Sequence, residues 1–175
     1  SLCRPRPERR EEKDPGIARY VVGSYANSRL GVFMEEYLKA CEALTEAVLC
    51  RMQAEGLSPE VSRGRSLLVL GAEEFMYPPL RLAATIEKTY RFQTVRFHAA
   101  TRSPILPASG RDYPLSSRYS LRSIYDQERI SFIYNLRAYD KVILLYDLAA
   151  NPLPGLQDLT GALEENGCRD ISVFE

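Results

Sequence analysis

The sequence predicts an α/β domain, with helices covering both faces of a mainly parallel sheet. Three observations predict it. Leu67–Leu70 (LLVL) and Lys141–Tyr146 (KVILLY) are short continuous apolar runs, the pattern of strands buried on both faces. Segments with helical spacing of apolar residues lie between such runs from Ser66 onward. Strands that alternate with helices are joined by crossovers, and crossovers produce parallel pairing.

Taken in order, residues 1–16 (SLCRPRPERREEKDPG) hold many charges and almost nothing apolar. Such a segment buries too little surface to offset its ordering entropy, so it reads as a flexible tail or linker. Residues 17–175 then form a single domain. Residues 29–55 read as a long amphipathic helix, because Leu30, Met34, Tyr37, Cys41, Leu44, Val48 and Met52 recur at spacings of three and four. Gly56 ends it, with Pro59 close behind. The stripe is short for a coiled coil and is expected to pack on the domain's own core. Residues 65–175 form the α/β core. Its first strand ends at Gly71, and a helix follows from Pro78 and Pro79, which suit a first turn, to about Tyr90. Thr94–Ala99 is the next strand. Residues 106–135 are an irregular insertion rich in Tyr, Ser and Arg. Within it Tyr119, Leu121, Ser123 and Tyr125 alternate as an extended piece would, and 127–135 is either a helical turn or a short strand. Residues 141–146 are a strand, Leu156–Asn166 a helix closed by Gly167, and Asp170–Phe174 a last strand.

Composition removes several classes of function. Lysine and arginine equal aspartate and glutamate at 23 each, so the formal net charge is zero and no basic face for nucleic acid is expected. No apolar run approaches the roughly 20 residues of a membrane span. Four cysteines without a CxxC pair and a single histidine, His98, give no structural zinc site. Cys41 and Cys50 share the long helix too far apart to bridge, so the thiols read as reduced and the location as cytoplasmic. His98, inside a strand, reads as a packed side chain. Nucleophile elbow, Walker loop and dinucleotide-type glycine turn are all missing.

Chemistry is expected where parallel strands end, because open α/β sheets bind ligands outside their carboxyl edge. Three such ends carry polar groups: GAEEFMYPP after Leu70, TRSP after Ala100, and DLAANP after Tyr146. Together they set Glu73, Glu74 and Asp147 against Arg102, Thr101 and Ser103. Arg102 with its two flanking hydroxyls matches a phosphate. A glutamate has three roles open to it: holding ribose hydroxyls, acting as general base, or sharing a divalent cation such as magnesium with Asp147. Glu74 and Asp147 are the candidate catalytic acids. Thr101, Arg102, Ser103, Glu73, Tyr77 and Asn135 are the candidate ligand contacts, and no metal ligands are assigned. Plainer readings stand beside these. Glu73 and Glu74 open a predicted helix, where acids face the helix dipole; Arg102 pairs with one of them; Asp147 is an N-cap or turn residue.

GAEEFMYPPLRLA, VRFHAATRSPI, the tyrosine-rich insertion and FIYNL together resemble the TRSP domain, a family named for the tetrapeptide at Thr101–Pro104. The likeness spans about residues 65–146. The family it resembles lies beside or C-terminal to an orotate-type phosphoribosyltransferase, in bacterial stress operons associated with tellurium resistance. The resemblance implies a Rossmann-like three-layer domain that works with a phosphoribosyltransferase on a nucleoside-like metabolite, and makes residues 1–16 the linker from an upstream domain. The chain is not itself expected to be the transferase: VILLYDLAANPLPG, Val142–Gly155, has only Asp147 where that loop needs adjacent acids, and no Thr/Gly-rich turn. Two functions follow as expectations. One is an enzyme or half-enzyme binding a sugar-phosphate or nucleotide-like ligand. The other is a non-catalytic domain that docks on the transferase. Oligomerisation is left open by both.

Overall fold

A computed structural model describes residues 17–22, 31–108, 110, 113–147, 149 and 151–175. The predicted tail at 1–16 lies outside them. Five strands form one all-parallel sheet: β1 (Ile17–Tyr20), β2 (Ser66–Gly71), β3 (Thr94–Ala99), β6 (Lys141–Leu145) and β7 (Ile171–Phe174). Their order across the sheet is β1-β7-β6-β2-β3. A separate antiparallel pair, β4 (Arg118–Arg122) and β5 (Ile130–Tyr134), occupies the insertion. Three helices complete the fold: α1 (Met34–Ala54), α2 (Tyr77–Thr89) and α3 (Leu153–Glu165).

The alternation of side chains along each strand divides the core in two. Leu67, Val69, Ile143 and Leu145 meet Val48 and Met52 of α1 and Leu82, Ala83 and Ile86 of α2. Leu68, Leu70, Val142 and Leu144 meet Leu156, Leu159 and Leu163 of α3, and Leu121 and Ile133 of the β4–β5 pair. All five residues of β6 are buried, which makes it the middle of the stack. Truncating one of its leucines to alanine costs roughly 2–5 kcal/mol in such a setting. The pair β4–β5 is tied to α3 by Arg122, whose Nε and Nη2 donate to both carboxylate oxygens of Asp158 at 2.8 and 2.6 Å.

Several predicted boundaries shift for local reasons. The helix expected from residue 29 begins at Met34, because Gly31 takes φ +83° and Phe33 is extended at ψ 136°. At its other end Gly56 takes φ +85° and donates to the Gln53 carbonyl, while Leu57 donates to Met52, a helix stop only a left-handed residue permits. Glu73 and Glu74 do not open a helix: α2 starts at Tyr77, with Pro78 and Pro79 in its first turn, and the acids sit in the preceding turn. Dipole stabilisation therefore does not account for them. Strand β1 was not foreseen, and its four residues pair with β7 only. The reading of reduced thiols holds for the buried Cys41 and Cys168, which form no disulfide, but not for Cys50, which is disulfide-bonded. The spacing along the helix excludes only a bridge between Cys41 and Cys50.

Chain direction across the sheet positions the site. From β1 to β2 and from β2 to β3 the chain moves one way, over the face of α1 and α2. From β3 to β6 and from β6 to β7 it moves back, over the face of α3 and β4–β5. Opposite directions on opposite faces give all four connections one hand, as a twisted parallel sheet requires. Consequently β2 sends its exit to one face while its two neighbours, β6 and β3, send theirs to the other. In open parallel sheets, divergent exits of this kind leave a crevice at the carboxyl edge, and here the diverging exits are those of β6, β2 and β3.

Candidate functional site

The three polar strand ends meet at that crevice. Ala72 donates its N–H to the Leu145 carbonyl at 3.1 Å, and Ala100 donates to the Gly71 carbonyl at 3.1 Å. Sheet pairing therefore continues up to the residues that precede Glu73, Asp147 and Thr101. At Gly71 a Cβ would run into the carbonyl oxygen of Phe75, so the turn carrying the two glutamates folds back tightly on the strand.

Glu73 is the most unusual residue of the molecule. Its backbone has φ +47°, a left-handed conformation that costs an L-residue roughly 1–2 kcal/mol. Its side chain is 5 % exposed, and neither carboxyl oxygen has a hydrogen-bond partner. Buried polar groups are nearly always paired, and an unpaired one costs about 1–3 kcal/mol. Backbone strain and unmet hydrogen bonding of this kind cluster at functional positions.

Asp147 is also buried, and it is oriented. Tyr125 donates its hydroxyl proton to Asp147 Oδ1 at 2.7 Å. The same hydroxyl accepts from the Asp147 N–H at 3.4 Å and lies 3.4 Å from the Ala72 carbonyl oxygen, so it spans the ends of β6 and β2. Asp147 is not a helix cap, since Pro152 holds that position in α3.

Arg102 forms an ion pair with Glu74, the plainer of its two expected roles. Both side chains are about half exposed, 51 % and 46 %. Exposed pairs of this kind contribute little, of order 0–1 kcal/mol, so only a weak contact holds the Arg102 guanidinium to Glu74. The loop around Arg102 is held from below. Thr101 exchanges backbone hydrogen bonds with Phe132 of β5 at 2.8 and 2.6 Å. The Tyr134 hydroxyl donates to the Ser103 carbonyl at 2.6 Å and accepts from the Ile105 N–H at 2.7 Å. Ser103 itself is exposed, and its N–H donates to Thr101 Oγ1 at 3.2 Å.

Two predicted contacts fall elsewhere. Tyr77, the first residue of α2, stacks on Tyr37 of α1 with ring centroids 5.7 Å apart. Asn135, at φ +50°, uses its amide to fix the insertion: its Oδ1 accepts from the Ser116 and Ser117 N–H groups at 2.9 and 3.2 Å, and its Nδ2 donates to the Pro114 carbonyl at 2.6 Å. Asn135 also lines a cavity of about 310 Å³ with Leu68, Arg96, His98, Arg137 and Tyr139. No other predicted site residue lines that cavity, so it and the carboxyl rim are different places. Burial pushes the pKa of His98 below the ordinary histidine range.

Tyr125 and Tyr134 hold the segments that carry Asp147 and Ser103, roles that sequence reasoning missed for them as individuals, although the tyrosine content of the insertion marked the region. Among the described residues no group of three or more His, Cys, Asp or Glu side chains is arranged to hold a metal, and no helix is long and apolar enough to cross a membrane.

A family model described as the TRSP domain, C-terminal to PRTase_2, matches residues 26–160. That span takes in α1, α2, strands β2 to β6 and most of α3, and leaves β1 and β7 outside. No curated protein and no solved structure matches the chain.

Proposed function

The chain belongs to the TRSP family, whose members lie C-terminal to a phosphoribosyltransferase domain, and on that premise we propose that it binds a phosphoribosyl or nucleotide-like ligand at the carboxyl rim of its sheet. It works with the transferase in making a nucleoside-like metabolite. The observation that carries this reading is Glu73, strained, buried and without a hydrogen-bond partner in the turn that follows β2. Both oxygens are buried, so the turn must open before they meet the two donors of a ribose diol. Arg102 takes the phosphate once Glu74 gives way, with Thr101 and Ser103 beside it. Of the two acids expected to do chemistry, Asp147 is the one oriented for proton transfer, and Glu74 is the one that guards Arg102. Magnesium, if used, joins the rim with the ligand phosphate, as such ions commonly bind. The Rossmann-like character, a cytoplasmic location and a place in bacterial tellurium resistance belong to the same reading and rest on the family likeness.

Calorimetric titration with ribose 5-phosphate and with a nucleoside 5′-monophosphate tests the proposal. Arg102→Ala is expected to weaken binding by more than tenfold without unfolding the chain. Unchanged affinity would count against it.

One observation favours the second reading, a domain that docks on the transferase. Phe33 and Met34 are 77 % and 71 % exposed at the start of α1, and Met76, Tyr77 and Leu80 are exposed at the start of α2, where Tyr77 stacks on Tyr37. Contiguous apolar side chains left in water mark interaction surfaces. Binding at the rim and docking through this face are compatible.

A further inference from the structure

We propose that the cavity beside β3 is a second ligand site, built for a compact organic dianion of the phosphate monoester class. Arg96 and His98 are two apart on β3 and lie in register with Leu68 and Leu70, which face α3. They form one wall. The segment from Asn135 to Tyr139 forms the other. Its backbone is fixed at both sides of Arg137. Asn135 is locked by its amide bonds, Leu136 is buried in the core, and the Arg137 carbonyl accepts from the Cys168 thiol at 3.5 Å. Arg137 therefore projects from a rigid support.

Charge selects the ligand. No carboxylate lines the cavity. Arg96 and Arg137 are exposed, and among the described residues neither side chain has an ion pair or a hydrogen bond. Burial disfavours the charged form of His98, and the two guanidinium groups supply the positive charge of the lining. A phosphate monoester carries about −1.5 to −2 near neutral pH and offers oxygens spaced for the guanidinium fork. The volume of about 310 Å³ sits at the low end of the ~300–1,000 Å³ range of small-molecule sites, which fits a monoester with one small organic group. Leu68, Leu136 and Tyr139 supply the surface for that group.

His98 is the only histidine, so the chain gives a single set of imidazole cross-peaks, and the Cε1–H peak of that set reports on this cavity. The whole chain is titrated with phenyl phosphate, which has no diol, and with inorganic phosphate as the smaller probe. A saturable shift of the imidazole peak is expected, stronger for phenyl phosphate. Hydrogen bonds to charged groups are worth about 1.5–3 kcal/mol, so Arg96→Ala and Arg137→Ala should each weaken the response roughly tenfold or more. Arg137→Lys should restore part of it. Glu73→Gln, at the rim, should leave it unchanged, which separates this site from the one above. A peak that does not move with either probe would overturn the proposal, as would a response that survives in the Arg96→Ala/Arg137→Ala double variant. Loss of the response in Glu73→Gln with retention in both arginine variants would assign it to the rim instead.

Discussion

Replacing Glu73 by glycine should make the unliganded chain more stable and the liganded chain harder to form. The gain has two sources. Glycine adopts φ +47° freely, which relieves roughly 1–2 kcal/mol of backbone strain. Removing the unpaired carboxyl relieves about 1–3 kcal/mol of unmet hydrogen bonding. Against these, glycine loses about 0.5–1 kcal/mol of extra chain entropy on folding. The net expectation is about 2 kcal/mol in favour of the variant. For a chain of this size each kcal/mol moves the melting temperature by roughly 2–4 °C, so an increase of about 4–8 °C is expected. Urea denaturation of Glu73→Gly and Glu73→Gln beside the parent chain measures it. Glutamine keeps both the strained backbone and a buried polar end, so it should deliver little of the gain. A glycine variant that is less stable than the parent would refute the reasoning, because it would mean that the folded chain already satisfies this carboxyl.

Other outcomes follow from the packing and the charges. At Gly155 of α3 a Cβ would stand 2.8 Å from Ser123 and Ile124 backbone atoms, so Gly155→Ala should destabilise by about 1–3 kcal/mol, read by thermal denaturation. The Arg122 hydrogen bonds hold the Asp158 carboxyl below its ordinary value of 3.8. A folded-state value below the unfolded one stabilises above the unfolded pKa, and that contribution is lost as pH falls through the folded value. The stability difference between the parent chain and Asp158→Asn should therefore shrink on acidification below about pH 4, checked by urea titrations across that range. Lys141 is buried, with its Nζ on Asp170 Oδ1 at 2.5 Å and Ser172 Oγ at 2.7 Å. Lys141→Met should be tolerated better than Asp170→Asn, since the latter leaves the buried ammonium with less compensation; chemical denaturation of the two variants ranks them. Phe33→Asp should abolish co-elution with the phosphoribosyltransferase domain on gel filtration while leaving the melting temperature unchanged.

Much of the fold was legible because its strands are of the kind that sequence reveals. β2 and β6 are buried on both faces, so LLVL and KVILL read as strands from apolarity alone, and the helices between them showed their period. β1 stayed hidden because IARY has only four residues and pairs on one side. The β4–β5 pair was half visible. Its alternation is clear at Tyr119 and Leu121, but Ile130–Tyr134 is a nearly unbroken apolar run that pattern does not assign. The rim was legible through topology, since any parallel sheet gathers its carboxyl ends. Position within the rim was not. The left-handed φ of Glu73 and the absence of partners for its carboxyl depend on the tight fold-back at Gly71, which no spacing encodes. Tyr125 reaches Asp147 from a segment 22 residues away, and only the packed insertion brings them together.

The claim at the centre of this account is that the carboxyl rim is a binding site in which Glu73 waits for a ligand's hydroxyl groups. Thermal unfolding in the presence of ribose 5-phosphate, compared between the parent chain and Glu73→Gln, tests it most directly. A ligand that binds only the folded state raises the melting temperature by mass action. The account requires a concentration-dependent rise in the parent chain that the glutamine variant loses. A rise of equal size in both chains, or none in the parent, would contradict it.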